Sequence, residues 1–355
     1  MGISQLATRV AIGATLLGGL TLAPALAANA QTPEPIHYVA LGDSYVSGPG
    51  IPQQDTSGCG RSDQNYPALI AAELKPQEFT DVSCGGATTK EMTASQLDNG
   101  KEINPPQLEA LTEKTDLVTL GIGGNDIGFG SIVQTCVMLG LVDKDGAPCQ
   151  ARYTIGGSDQ LEKKIGEKAT EVDAVLDAIA QRSPDAKTYI VGYPTILPES
   201  GTCQNVLPFA KGDYEYLRGV FGKLNSMLEE QADKNGAHYI DTVTGSKGHD
   251  VCQPVGTKWV EGITPESPAA PVHPNALGMA GTAAIVLDAL GSDAPGPNPS
   301  EPVPTTSSPA GGEGAGRKLP TTGVAITGFV AGALFLLVGG VAMAGYSRRR
   351  NVPSA

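Results

Sequence analysis

The sequence predicts an α/β fold of three layers, with helices on both sides of a central five-stranded parallel sheet. Two observations predict it. Short runs rich in β-branched and aromatic residues alternate along the chain with long amphipathic helical patterns. Several of these runs are apolar over consecutive positions, as strands covered on both faces must be.

The first run, "IHYVALG" (Ile36–Gly42), stops on Gly-Asp-Ser and spills into a glycine-rich segment. The others are "FTDVSC" (Phe79–Cys84), "DLVTLGI" (Asp116–Ile122), "KTYIVGY" (Lys187–Tyr193) and "AHYIDT" (Ala237–Thr242). Between them, Gln160–Arg182 repeats Leu161, Ile165, Ala169, Val172, Leu176 and Ile179 at helical spacing. Asp213–Asn235 does the same with Tyr216, Val220, Leu224, Met227 and Leu228, and Gly236 can end it. A last helix over Asn275–Leu290 follows a His-Pro pair. The connections Gly128–Gly157 and Pro194–Gly212 mix apolar and polar residues and read as loops without a clear lid. In parallel sheets of this kind, sites form beyond the carboxyl ends of the strands. Ser44 falls at one of those ends.

Both ends of the 355-residue chain lie outside this body, which spans Pro35–Gly291. Met1–Ala30 has Arg9, an apolar run from Val10 to Leu22 and the small-residue sequence Ala25-Leu26-Ala27, the layout of a secretory signal peptide. Ser292–Lys318 is rich in Pro, Gly, Ser and Thr and reads as a flexible tether. Then come "LPTTG" (Leu319–Gly323), an uncharged apolar stretch Val324–Tyr346 long enough to span a bilayer, and a basic tail, residues 347–355. Motif, span and tail together resemble the sorting signal of Gram-positive sortase substrates. That resemblance implies cleavage between Thr322 and Gly323 and covalent transfer to peptidoglycan.

The net charge of −13 argues against a nucleic-acid partner and suits a surface exposed outside the cell. The six cysteines, all within the body, favour disulfides in an exported chain, although six allow 15 connectivities. None forms a C-x-x-C pair, so neither a zinc site nor a redox motif is expected. No cofactor is expected.

Four stretches at predicted strand ends or helix starts carry the chemistry: "GDSY" (Gly42–Tyr45), "CGGATT" (Cys84–Thr89), "GIGGNDIGF" (Gly121–Phe129) and "VHPNALGMAG" (Val272–Gly281). In this order they resemble the conserved blocks of the SGNH (GDSL-type) hydrolases, in particular secreted actinobacterial esterases and lipases. The resemblance covers most of Pro35–Leu290. It implies a flavodoxin-like α/β/α fold and ester hydrolysis, with Ser44 as nucleophile and His273 as base. Acyl transfer also needs donors for the developing oxyanion. The backbone N–H groups of Ser44 and Gly86 and the side-chain amide of Asn125 are expected to fill that role. Gly86 lets the backbone approach closely, and the two glycines before Asn125 permit the turn that aims its amide. The G-x-S-x-G elbow of the other common serine-esterase fold is absent.

Blander roles exist for each residue. Ser44 can be the N-cap of a strand-to-helix turn, Gly123–Asp126 an ordinary turn, and His273 a cap followed by Pro274 at the first helical turn. His249, in "GHDVC", is the rival base, whereas His37 and His238 lie inside predicted strands. One departure from the family pattern is plain. The aspartate usually found three residues before the histidine is replaced by Ala270. A main-chain carbonyl of Ala270 or a neighbour is therefore expected to orient His273. For the cysteines, the resemblance implies sequential pairing: Cys59–Cys84, Cys136–Cys149 and Cys203–Cys252. The function expected is a secreted, wall-anchored serine ester hydrolase acting on a lipid ester or an acylated envelope component. The same site also suits an envelope acyltransferase, and the scaffold alone a surface adhesin. Sortase and peptidoglycan are the expected partners.

Overall fold

The computed structural model describes residues 36–292. The leader predicted over 1–30, and the sorting motif, span and tail predicted beyond the body, lie outside the described residues. Strands β1 (His37–Gly42), β2 (Glu78–Asp81), β5 (Leu117–Gly121), β6 (Lys187–Val191) and β7 (His238–Ile240) form one sheet in the order β2-β1-β5-β6-β7. Every pairing in it is parallel. A separate antiparallel pair, β3 (Gln96–Asp98) and β4 (Lys101–Asn104), stands outside the sheet.

Alternate side chains of the strands feed two cores, as the two-residue period of a strand requires. Tyr38 and Ala40 of β1 point to one side, where they join Ile70 of α2 (Tyr66–Leu74) and Met279, Ala283 and Val286 of α9 (Ala276–Ser292). Val39 and Leu41 point to the other, with Val172, Leu176 and Ile179 of α6 (Gln160–Arg182) and Leu224 and Leu228 of α7 (Lys211–Lys234). Each such aliphatic side chain withdrawn from water contributes about 1.5–3 kcal/mol, so β1 needs helices on both sides. Asp159 starts α6 by accepting from the Leu161 and Glu162 N–H groups. Ser183 ends it, next to Pro184.

The segment Gly128–Gly157, expected as a loop, is instead two helices after the short α3 (Gly124–Ile127). These are α4 (Phe129–Val142) and α5 (Pro148–Tyr153). Glycines and β-branched residues in α4 weaken the local helical signal. The packing supplies what propensity does not. Gly140 lies against the Pro208–Ala210 backbone, where any Cβ would clash. Three disulfides are present: Cys59–Cys84, Cys136–Cys149, which joins α4 to α5, and Cys203–Cys252. Among the described residues no helix is long and apolar enough to cross a membrane.

The register decides where the site forms. Gly42 of β1 pairs with Gly121 of β5. Beyond β2 the chain stays beside β1, with the Cys84 N–H donating to the Gly42 carbonyl at 3.0 Å. The first three motifs therefore leave the same edge of the sheet as neighbours.

Candidate active site

The end of β1 is clamped before it turns. The Gln107 side chain accepts from the Gly42 N–H at 2.7 Å and donates to the Gly42 carbonyl at 2.9 Å. Gly42 has φ +151°, and a Cβ there would overlap Val46. Asp43 then donates its N–H to the Gly121 carbonyl at 3.0 Å. Its carboxylate accepts from the Tyr45 N–H at 2.8 Å and so caps α1 (Ser44–Ser47). The N-cap is thus Asp43. Ser44 is the first helical residue, its hydroxyl left for other work. Burial pushes the Asp43 carboxyl up to about 7, against hydrogen bonds from Tyr193 and the Tyr45 N–H.

That hydroxyl lies 2.8 Å from Nε2 of His273. On the far side of the ring, Nδ1 lies 2.8 Å from the Pro271 carbonyl. A carbonyl only accepts, so Nδ1 carries the hydrogen and the Nε2 lone pair faces Ser44. The Ala270 carbonyl takes the backbone N–H of His273 instead, at 3.2 Å. Burial holds the imidazole below its usual range, and the Pro271 carbonyl partly offsets this.

The histidine loop is held from several sides. Tyr45 donates its hydroxyl to the Val272 carbonyl at 2.7 Å, and its ring lies 5.1 Å from that of His273. Val272 has φ +57°, a region costly for a β-branched residue. The Glu261 N–H donates to the His273 carbonyl at 3.0 Å. Below it, Lys258 and Glu261, both fully buried, pair at 3.1 Å. Asn275 donates its amide to Glu261 at 2.8 Å and accepts from the Gly278 N–H at 3.0 Å, joining the loop to the first turn of α9.

Gly86 has φ +80°, a conformation that glycine adopts without strain. Among the described residues, neither its backbone N–H nor that of Ser44 donates to another group. The Asn125 amide donates to the Ala87 carbonyl at 2.9 Å, which ties the third motif to the second and leaves its other hydrogen uncommitted. The Gly85 N–H donates to the Cys59 carbonyl at 2.8 Å, beside the Cys59–Cys84 disulfide.

Ser44, Asn125 and His273 open onto a pocket whose other walls include Phe129, Ile196, Phe221 and Leu224. Gly86 is not part of that lining. The other histidines are engaged elsewhere. His249 bonds the Thr257 carbonyl through Nδ1 at 2.6 Å and stacks on Trp259, His37 pairs with Asp116, and His238 stacks on Tyr189. Among the described residues no group of three His, Cys, Asp or Glu is placed to hold a metal ion.

Sequence reasoning missed the pocket's apolar wall and one polar residue. Phe129 lay in a segment read as loop, and Phe221 and Leu224 in a helix read only as core. Tyr193 was visible at the end of a predicted strand, the place where sites form.

Residues 40–280 match the model of the GDSL-like lipase/acylhydrolase family, and residues 313–352 that of the LPXTG cell wall anchor motif. The chain is 40% identical over 293 residues to Lipase 2 of Streptomyces coelicolor, covering 81% of this chain and 96% of the relative. It is 32% identical over 284 residues to an esterase of Streptomyces scabiei, covering 70% and 82%. Among solved structures, phospholipase A1 from Streptomyces albidoflavus NA297 aligns with a TM-score of 0.60 at 31% identity. That alignment covers 73% of this chain and 100% of the other.

Proposed function

Because this chain belongs to the GDSL-like lipase/acylhydrolase family, we propose that it hydrolyses esters through an acyl-enzyme on Ser44, with His273 as general base. It is a secreted carboxylic ester hydrolase anchored to the cell wall. The observation that carries the mechanism is the 2.8 Å contact between Ser44 Oγ and the unprotonated face of His273.

Ser44 Oγ attacks the ester carbonyl carbon while its proton passes to His273 Nε2. The tetrahedral oxyanion receives the Ser44 N–H, the Gly86 N–H and the Asn125 amide. It collapses as the C–O bond to the alcohol breaks, and the imidazolium returns the proton to the leaving oxygen. Water, deprotonated by His273, then cleaves the acyl-enzyme and restores Ser44. In this scheme Pro271 replaces the carboxylate of a Ser-His-Asp triad. Its carbonyl fixes the tautomer but carries no full charge to stabilise the imidazolium.

The apolar walls beside Ser44 support a fatty-acyl ester as substrate, the class suggested by the names of its lipase and phospholipase relatives. For attachment, a sortase would cut between Thr322 and Gly323 and join Thr322 to peptidoglycan. The test of function is turnover of p-nitrophenyl esters over a range of acyl lengths, with Ser44→Ala as comparison. Hydrolysis that rises with acyl length and vanishes in a folded Ser44→Ala protein is expected. Substantial turnover by that variant would sink the mechanism.

A further inference from the structure

Three hydrogen bonds that the reaction above does not use run between two of its donors. The Gly124 N–H donates to the Tyr193 hydroxyl at 2.7 Å. That hydroxyl donates to one Asp43 carboxylate oxygen at 2.5 Å. The other carboxylate oxygen accepts from the Tyr45 N–H at 2.8 Å. All three bonds are buried. The two N–H groups can only donate, and the hydroxyl gives its proton to the carboxylate when Asp43 is ionised.

The ends of this chain of bonds are adjacent in sequence to the groups that matter. Asp43 precedes Ser44, and Gly124 precedes Asn125. Tyr193 is itself locked. The Asn225 side chain accepts from its N–H and donates to its carbonyl, both at 2.9 Å, and its ring meets that of Tyr45 edge-on at 5.1 Å. At residue 124 a Cβ would come within 3.0 Å of the tyrosine oxygen, so the approach suits glycine.

We propose that Tyr193 is a positioning residue for the oxyanion site: through Asp43 and Gly124, its hydroxyl sets the separation of the Ser44 N–H and the Asn125 amide. The inference rests on the roles given above to Ser44 and Asn125. Oxyanion donors stabilise the transition state only when already aimed at the place the charge will occupy. Displacement by an ångström can cost about 100-fold in rate. Strands β1, β5 and β6 each deliver one part of the chain of bonds. The Asp43 N–H already ties the first turn to the Gly121 carbonyl at 3.0 Å, and the hydroxyl adds a second tie further along, at the level of Gly124.

Tyr193→Phe is the test, because it keeps the ring and removes only the oxygen. With a short-chain p-nitrophenyl ester, kcat is expected to fall by about 10–100-fold while KM stays within about twofold. Inhibition by an alkylboronic acid, which adds to Ser44 as a tetrahedral anion, should weaken by the same factor as kcat. A purely packing role for the ring would leave both unchanged, and a substrate-wall role would move KM. A folded Tyr193→Phe protein with kcat near wild type, a loss confined to KM, or unchanged boronate inhibition would each overturn the proposal. Asp43→Asn keeps the cap on the Tyr45 N–H but offers the hydroxyl an amide in place of a carboxylate. It should lower kcat in the same direction. The double variant should be no worse than the worse single one, and additive losses would also overturn the proposal. Should Tyr193→Phe fail to fold, Asp43→Asn decides by the same kcat and boronate criteria. Ser44→Ala and Asn125→Ala run alongside: activity surviving in them would defeat the mechanism itself, whatever Tyr193 does.

Discussion

Removing the positive charge beneath the histidine loop should unsettle the body in a pH-dependent way. Lys258 is fully buried, 3.1 Å from the fully buried Glu261 and 2.6 Å from the exposed Glu266. Lys258→Met keeps the apolar stem and deletes the cation, leaving Glu261 as a buried carboxylate without its counter-ion. Breaking such a pair costs about 3–5 kcal/mol. Glu261 keeps two donors, the Asn275 amide at 2.8 Å and the Glu266 N–H at 2.9 Å, which points to the lower end of that range. About 3 kcal/mol corresponds to a fall in Tm of about 6–12 °C for a body of this size.

The sign with pH follows from Glu261. Burial pushes its carboxyl up, but the Asn275 amide, the Glu266 N–H and Lys258 together hold it below its usual range. In the wild type its contribution is therefore present above the ordinary glutamate pKa and is lost as pH falls through the lower folded value. Without Lys258, burial wins and the folded pKa rises. The deficit should then be largest at pH 8 and shrink toward pH 5, where protonation removes the unpaired charge. Thermal unfolding followed by circular dichroism at the two pH values measures this, and adding Glu261→Gln to Lys258→Met should recover most of the loss. A Tm within about 2 °C of wild type at pH 8, or an equal deficit at both pH values, would refute the reasoning.

Asn125→Ala should lower kcat by about 10²–10³-fold if its amide meets the oxyanion. A change in KM alone would make it a ground-state binding residue. Because burial lowers the His273 pKa, the neutral base should persist below the usual histidine range. The acidic limb of kcat/KM should accordingly fall below pH 6.5, and a limb above that value would count against His273 as base. Replacing Thr322 and Gly323 should shift the protein from the peptidoglycan fraction to the membrane fraction. A wild-type protein already found with the membrane would exclude sortase transfer.

Much of this architecture was legible in the residues. β1, β5 and β6 announce themselves because burial on both faces demands runs of apolar and β-branched residues such as Val39–Leu41 and Leu117–Leu120. α6 does so because its charged outer face sharpens its apolar stripe. α2 escaped notice: its "YPALIAAEL" is apolar nearly all round and so lacks a stripe. The β3–β4 pair was hidden too, since Leu97 points outward and the strands bury little. In the site, Ser44, His273, Gly86 and Asn125 could be named because they stand in four blocks that, in order, resemble those of the SGNH hydrolases. The groups that hold them were harder to see. Pro271 acts through its carbonyl, which every residue possesses, and Tyr193 reaches Asp43 across 150 positions of sequence.

The hydrogen bond between Ser44 and His273 joins residues 229 positions apart, and the histidine comes just ahead of the body's last helix. A chain emerging amino-terminus first presents its serine long before its imidazole. If Ser44 and His273 act as proposed, a partly translocated chain would carry the serine without its base, next to the membrane whose lipids resemble the proposed substrate. The pair would form only with the final segment, when β1 and the turn before α9 can meet. On the proposed mechanism, the order of residues along the chain would leave the site incomplete until the turn before α9 has emerged.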